Sequence, residues 1–115
     1  MYICLMYSKE LIKGTLTPII LGLLEENNRM YGYEITQEVK ERTLGKIEIT
    51  EGALYPTLHK LEADGILKTE EEFIGKRVRK YYSLTKNGSA MAAQRVSEIK
   101  DFMATLSLLL NPKHV

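Results

Sequence analysis

The stretch Ile49-Thr50-Glu51-Gly52-Ala53-Leu54-Tyr55-Pro56-Thr57-Leu58-His59-Lys60-Leu61-Glu62-Ala63-Asp64-Gly65-Ile66-Leu67 decides the fold. Thr50 can cap a helix start and Asp64-Gly65 supplies a left-handed stop, so a helix is expected from Glu51 to Ala63. Leu54, Leu58 and Leu61 fall on one face, with Ala53 beside them, and are expected to be core. The opposite side offers Thr50, Gly52, Tyr55, Pro56, His59 and Lys60. Those residue types suit a helix approached by a polyanion. Glycine admits a close backbone, while tyrosine, lysine and helix N-terminal amides donate to phosphate. Read alone, the face is more simply that of an amphipathic helix wetted by solvent.

The sequence that follows shifts this balance. Ile66 to Phe73 and Val78 to Leu84 read as two strands joined by Ile74-Gly75-Lys76-Arg77, a hairpin with glycine in its loop. Lys76, Arg77, Arg79, Lys80 and Lys86 fall together with no acid between them, whereas residues 1–50 hold six bases and seven acids. The chain total of 16 Lys+Arg against 15 Asp+Glu therefore conceals a local basic block that can hold phosphates by counterion release. Strand alternation puts Arg77 and Arg79 on one side and Lys80 on the other, leaving Lys76 and Arg77 at the tip as the leading phosphate ligands. A hairpin using bases only to block edge pairing is the bland reading. Glu70-Glu71-Glu72 reads as a solvated strand edge.

Upstream, Ser8 caps a first helix, and Ile12, Leu16, Ile19, Ile20, Leu23 and Leu24 repeat at helical spacing from Lys9 to Glu26. Pro18 either bends this helix over the carbonyl of Gly14 or restarts it at Thr17-Pro18. Asn27 to Met30 reads as a turn. A second helix is expected from about Tyr31 to Arg42, with Tyr33, Ile35, Val39 and Leu44 inward and Gly45 as its stop. Ile47 and Ile49 alternate with charge, as in a very short strand. Three helices followed by a hairpin is the element order of a winged helix-turn-helix, a mainly α fold with a β-hairpin.

Thr85 opens a last helix reaching about Leu110, stopped by Asn111-Pro112. Ala92, Val96, Ile99, Met103, Leu106 and Leu110 are spaced 4, 3, 4, 3 and 4, an a/d-type seam that Phe102 and Leu109 widen. So broad an apolar face after a complete small domain is best buried by a partner helix, at about 25 cal/mol per Å². A homodimer is expected, using Val96, Ile99, Phe102, Met103, Leu106 and Leu110, with Ile12 and Leu16 of helix one contributing. Packing back onto helix one is the competing use of the seam.

Several motifs occur in an order that resembles the PadR family of bacterial transcriptional regulators. They are Lys13-Gly14-Thr15-Leu16, Tyr31-Gly32-Tyr33-Glu34-Ile35, Gly52-Ala53-Leu54-Tyr55-Pro56-Thr57-Leu58, Leu61-Glu62-Ala63-Asp64-Gly65-Ile66, and Arg79 through Gly88. The resemblance covers about residues 9–88. It implies a winged-helix DNA-binding domain, a dimer, and a repressor released by a small molecule, in a branch with a single C-terminal helix. On this reading residues 1–8 are an N-terminal extension, 9–84 the DNA-binding domain, and 85–115 the dimerisation helix and tail. Thr50, Gly52, Tyr55, Pro56, His59, Lys60, Lys76, Arg77 and Arg79 are the expected DNA-binding residues, and double-stranded DNA the partner. A winged helix that binds another protein instead is the alternative.

Other classes find little support. The 115 residues include one cysteine, Cys4, which excludes an internal disulfide and lacks a neighbouring base. His59 and His114 are far apart, and no metal-ligand spacing or glycine-rich phosphate loop is present. No enzyme activity and no cofactor are expected. The apolar runs are too short for a transmembrane helix, and residues 1–7 lack a basic region and cleavage site. A cytoplasmic protein is expected, with Met6 an alternative start.

Overall fold

The computed structural model describes residues 7–111 and Lys113. The expectations for Cys4, an alternative start at Met6, Pro112 and His114 lie outside those residues. Element order is α1 (Lys9–Glu26), β1 (Met30–Tyr31), α2 (Gly32–Arg42), α3 (Glu51–Ala63), β2 (Leu67–Ile74), β3 (Arg77–Leu84) and α4 (Lys86–Leu110). The three helices and the hairpin stand where the sequence puts them, and the hairpin is part of an antiparallel sheet ordered β1-β3-β2.

Helix α1 begins on Ser8, whose hydroxyl accepts the Leu11 N–H at 3.3 Å, and runs unbroken through Pro18. Proline removes the N–H that would bond the carbonyl of residue 14, but Gly14 is exposed and water can satisfy that group. The same spacing recurs in α3, where Pro56 follows the exposed Gly52 by four residues.

Several local expectations are corrected. Met30 is not in a turn. It is 2% exposed and pairs with Tyr82, while Tyr31 pairs with Tyr81, so two residues add a third strand too short to show periodicity. Conversely, Ile47 and Ile49 form no strand; Ile49 is buried from an irregular segment. Helix α2 ends at Arg42 as read, but its left-handed stop begins at Leu44 and not at Gly45. The Gly45 N–H bonds the Lys40 carbonyl at 2.8 Å and the Leu44 N–H the Glu41 carbonyl at 3.3 Å. Leu44 thus occupies the left-handed position, with φ 54°, and is 90% exposed rather than inward. A leucine there costs roughly 1–2 kcal/mol.

The α3 stop forms as read. Ile66 N–H bonds the Leu61 carbonyl at 2.9 Å and Gly65 N–H the Glu62 carbonyl at 3.0 Å, the Schellman pair, with Gly65 at φ 77°. Leu54, Leu58 and Leu61 join Leu16, Ile20, Leu21, Leu24, Ile35 and Tyr82 in one core. Ala53 is exposed instead, because it lies off the Leu54-Leu58-Leu61 line. The hairpin turns on Gly75-Lys76 alone, since Ile74 and Arg77 already pair. Gly75 takes φ 63° at the first loop position, as a type II′ turn requires.

Helix α4 is locked at its start. Thr85 N–H donates to the Ile66 carbonyl at 3.0 Å, and its hydroxyl lies 2.6 Å from the Gly65 carbonyl while accepting the Gly88 N–H at 2.9 Å. A β-carbon at Gly88 would overlap the Ile66 carbonyl oxygen and sit 3.0 Å from its carbon. Helix propensity alone makes Gly88→Ala favourable by about 1 kcal/mol. We expect it to destabilise by roughly 2 kcal/mol instead, because the obstacle is backbone. Urea unfolding checks this, and an unchanged or raised midpoint contradicts it.

Candidate nucleic-acid interface

Helix α3 and the hairpin enclose an open cleft of about 810 Å³. Tyr55 and His59 form one wall, Ile74 and Arg77 to Lys80 the other, and Tyr31-Gly32-Tyr33 closes the end. Tyr33, expected inward, is 57% exposed at this mouth; the α2 line that faces the core is Gly32, Ile35 and Val39. Tyr55 is half-buried, its ring tilted 6.3 Å from that of His59, and it packs directly on Gly32, where any side chain would strike it.

The predicted site residues divide into groups. Tyr55, His59, Arg77 and Arg79 come together in the cleft, and Lys76 lies at the exposed tip. Gly52 and Pro56 are exposed on the outer side of α3. Thr50 is exposed, and its hydroxyl accepts the Ala53 N–H at 3.2 Å as helix cap. Lys60 turns away from the cleft to Asp64 at 3.3 Å, an exposed pair of small energetic value. Lys80 reaches Glu62 at 3.6 Å. Among the described residues neither Lys76 nor Arg77 meets a carboxylate at ion-pair distance.

Arg79 is held by a stack that sequence reasoning missed. Its guanidinium lies 4.1 Å over the Tyr31 ring and donates to the Tyr81 hydroxyl at 3.4 Å. Tyr31 and Tyr81 meet edge to face at 5.5 Å, and Arg29 covers Tyr81 at 3.9 Å. Arg29 in turn pairs with Glu70 and Glu72, each at 2.6 Å. Glu70 and Glu72 are therefore exposed but clamped, while Glu71 is exposed and makes no ion pair among the described residues. The signal for the clamp was present: Glu70 and Glu72 share one strand face, two residues apart. Hydrogen bonds to Glu72 and Glu70 push the Arg29 pKa up, and the bond to Tyr81 does so for Arg79; both stay charged. Under the cleft floor, burial pushes the Tyr82 phenol above its ordinary value.

The predicted dimer residues also divide. Leu16 is buried within its own chain, and Ile12 is half-buried against the same core. Val96 and Ile99 are half-buried and, with Met103, line an apolar groove of about 430 Å³ against Pro18, Ile19 and Leu23. Phe102, Met103, Leu106 and Leu110 are exposed at 56%, 55%, 37% and 72%. Among the described residues no helix is long and apolar enough to cross a membrane.

A helix-turn-helix whose second helix and basic hairpin wall one cleft defines a winged helix-turn-helix protein. Residues 20–94 match the transcriptional regulator PadR-like family. A Clostridium thermocellum transcriptional regulator has a similar structure, with TM-score 0.80, 28% identity, and 91% of this chain and 99% of that chain covered. A PadR family regulator from Eggerthella lenta superposes with TM-score 0.77 at 28% identity, covering 90% and 88%. A Mycobacterium tuberculosis transcriptional regulator is 39% identical over 64 residues, 56% of this chain and 57% of its own length. The chain belongs to the PadR-like family of transcriptional regulators.

Tyr82 provides a pH test of the cleft floor. Its folded pKa lies above the unfolded value of about 10, so its contribution is complete below about pH 10 and is lost as pH rises toward the folded value. Above that pH we expect wild type to lose stability more steeply than Tyr82→Phe. Parallel unfolding curves for the two between pH 9 and 11 would contradict it.

Proposed function

We propose that this chain is a dimeric DNA-binding repressor that recognises a palindromic operator and is released by a small molecule. Residues 9–84 form the DNA-binding part and 85–115 the dimerising part. Helix α3 enters the major groove, and the wing tip grips backbone or the adjacent minor groove. The observation that carries this reading is the cleft, where α3 faces a hairpin whose outermost bases, Lys76 and Arg77, lack carboxylate partners among the described residues.

Within the proposal, Lys76 and Arg77 hold phosphates, Tyr55 contributes a hydroxyl, and Gly52, Pro56 and His59 form the surface that approaches base edges. Thr50 acts through the helix start it caps. Arg79 lines the cleft from a braced position, and Lys60 reaches a phosphate only by leaving Asp64. The exposed α4 seam supports pairing of two copies, with Phe102, Met103, Leu106 and Leu110 the principal apolar contacts and Ile12 at the margin. Leu16 has little surface left to offer. Two-fold symmetry then sets operator half-sites about one helical turn, or a multiple, apart. The α4 seam and the adjoining groove, poor in polar groups, suit an apolar effector between subunits.

Gel shift on the promoter upstream of the chain's own gene, run across salt concentrations, tests the DNA reading. A competitor-resistant shift is expected, and its absence favours the protein-binding alternative. Lys76→Ala should weaken binding evenly across sequences and reduce the log–log salt slope by about one. An unchanged slope removes Lys76 from the phosphate ligands.

A further inference from the structure

The hairpin reaches well beyond the core. Its deeply buried members are Leu67 and Tyr82, and from Thr69 to Ile74 the strand continues for roughly 16 Å at about 3.3 Å per residue. At that far end it carries apolar side chains into water: Phe73 is 76% exposed, Val78 49% and Ile74 41%. Phe73 and Val78 sit opposite each other, a pairing that lends a hairpin some stability. Most of Phe73 nevertheless stays wet, so pairing does not account for it. Strand β2 is also a sheet edge, where exposed apolar residues invite aggregation.

The surroundings of this tip select its partner. Lys76 and Arg77 stand between Phe73 and Val78, and no acid occurs from residue 73 through 86. Ile74 and Val78 belong to the cleft that faces Tyr55 and His59. Apolar side chains set beside a pair of unpartnered cations match a surface whose apolar faces lie beside anionic walls. A DNA minor groove has that character, since its phosphates flank stacked bases.

We infer that the wing tip is an apolar wedge for the minor groove: Phe73, backed by its cross-strand partner Val78 on the same strand face, enters one base step while Lys76 and Arg77 hold the flanking phosphates. This rests on the DNA-binding reading above. Unstacking a base step is unfavourable and is easiest at pyrimidine–purine steps. The wedge thereby favours TA or CA/TG at the position it enters without a hydrogen bond to any base, and it bends the duplex.

Duplexes selected from a random library by the wild-type chain supply the probe. Failure to select any overturns the DNA reading, and the wedge with it. On a selected duplex carrying donor and acceptor dyes at its ends, Phe73→Ala should weaken binding about tenfold. It should also reduce the bend and leave the salt slope unchanged. Phe73→Leu, which keeps apolar bulk, should bind within about threefold of wild type. The melting temperature reports folding of both variants, and an exposed tip predicts little change. Phe73→Ala binding within about twofold of wild type, with the same bend, overturns the wedge while the DNA reading stands. A loss of affinity that coincides with loss of the dimer on sedimentation also overturns it, making the tip a contact between copies.

Discussion

The carbonyl of Ile66 is the point on which the molecule turns. It follows the α3 stop, precedes β2, and accepts the Thr85 N–H at 3.0 Å as β3 gives way to α4. The Thr85 hydroxyl spans the Gly65 and Ile66 carbonyls and caps α4 through Gly88. One residue thus ties the end of α3, the root of both wing strands and the start of the final helix. Gly88 is required because the approach leaves no room for a β-carbon. A displaced Thr85 would move the wing and the α4 seam together, linking the two surfaces on which the functional proposal depends.

A second brace sets the wing against the rest of the domain. Met30 and Tyr31 add the outer strand to β3, and the Arg29, Tyr81, Tyr31 and Arg79 side chains stack across it. Glu70 and Glu72 neutralise Arg29 from the far strand. Cation–aromatic contacts at such exposed sites are weak, so the value of the stack lies in orientation as much as in stability. It leaves the tip bases as the outermost charge. The near-neutral composition is therefore compatible with a basic working surface, because acids are spent on internal pairs rather than spread evenly.

Long periodic elements with strong punctuation were legible in the sequence. Ser8, Thr50 and Thr85 cap the three long helices as read, and Gly65 and Gly75 take the left-handed conformations their contexts require. The misses share a physical cause, that the deciding partner is distant in sequence. Met30-Tyr31 is a strand only because Tyr81 and Tyr82 lie alongside, and Arg29 meets Glu70 across 41 residues. The left-handed stop after α2 begins at Leu44 and continues through Gly45 at φ 80°, so local preference pointed one residue too far. At the candidate site, the tip and the cleft face of α3 were readable from composition and periodicity. That Lys60 pairs with Asp64 and Arg79 is braced on Tyr31 required three dimensions.

The central claim is that α3 and the wing address the major and minor grooves of one duplex as two symmetric copies. Dimethyl sulfate footprinting on a selected duplex tests it most directly, since the reagent reports guanine N7 in the major groove and adenine N3 in the minor. The account predicts protected guanines in each of two half-sites related by two-fold symmetry, each with a neighbouring patch of altered adenine reactivity. Protection confined to one groove, or a single patch without a symmetry mate, would contradict it.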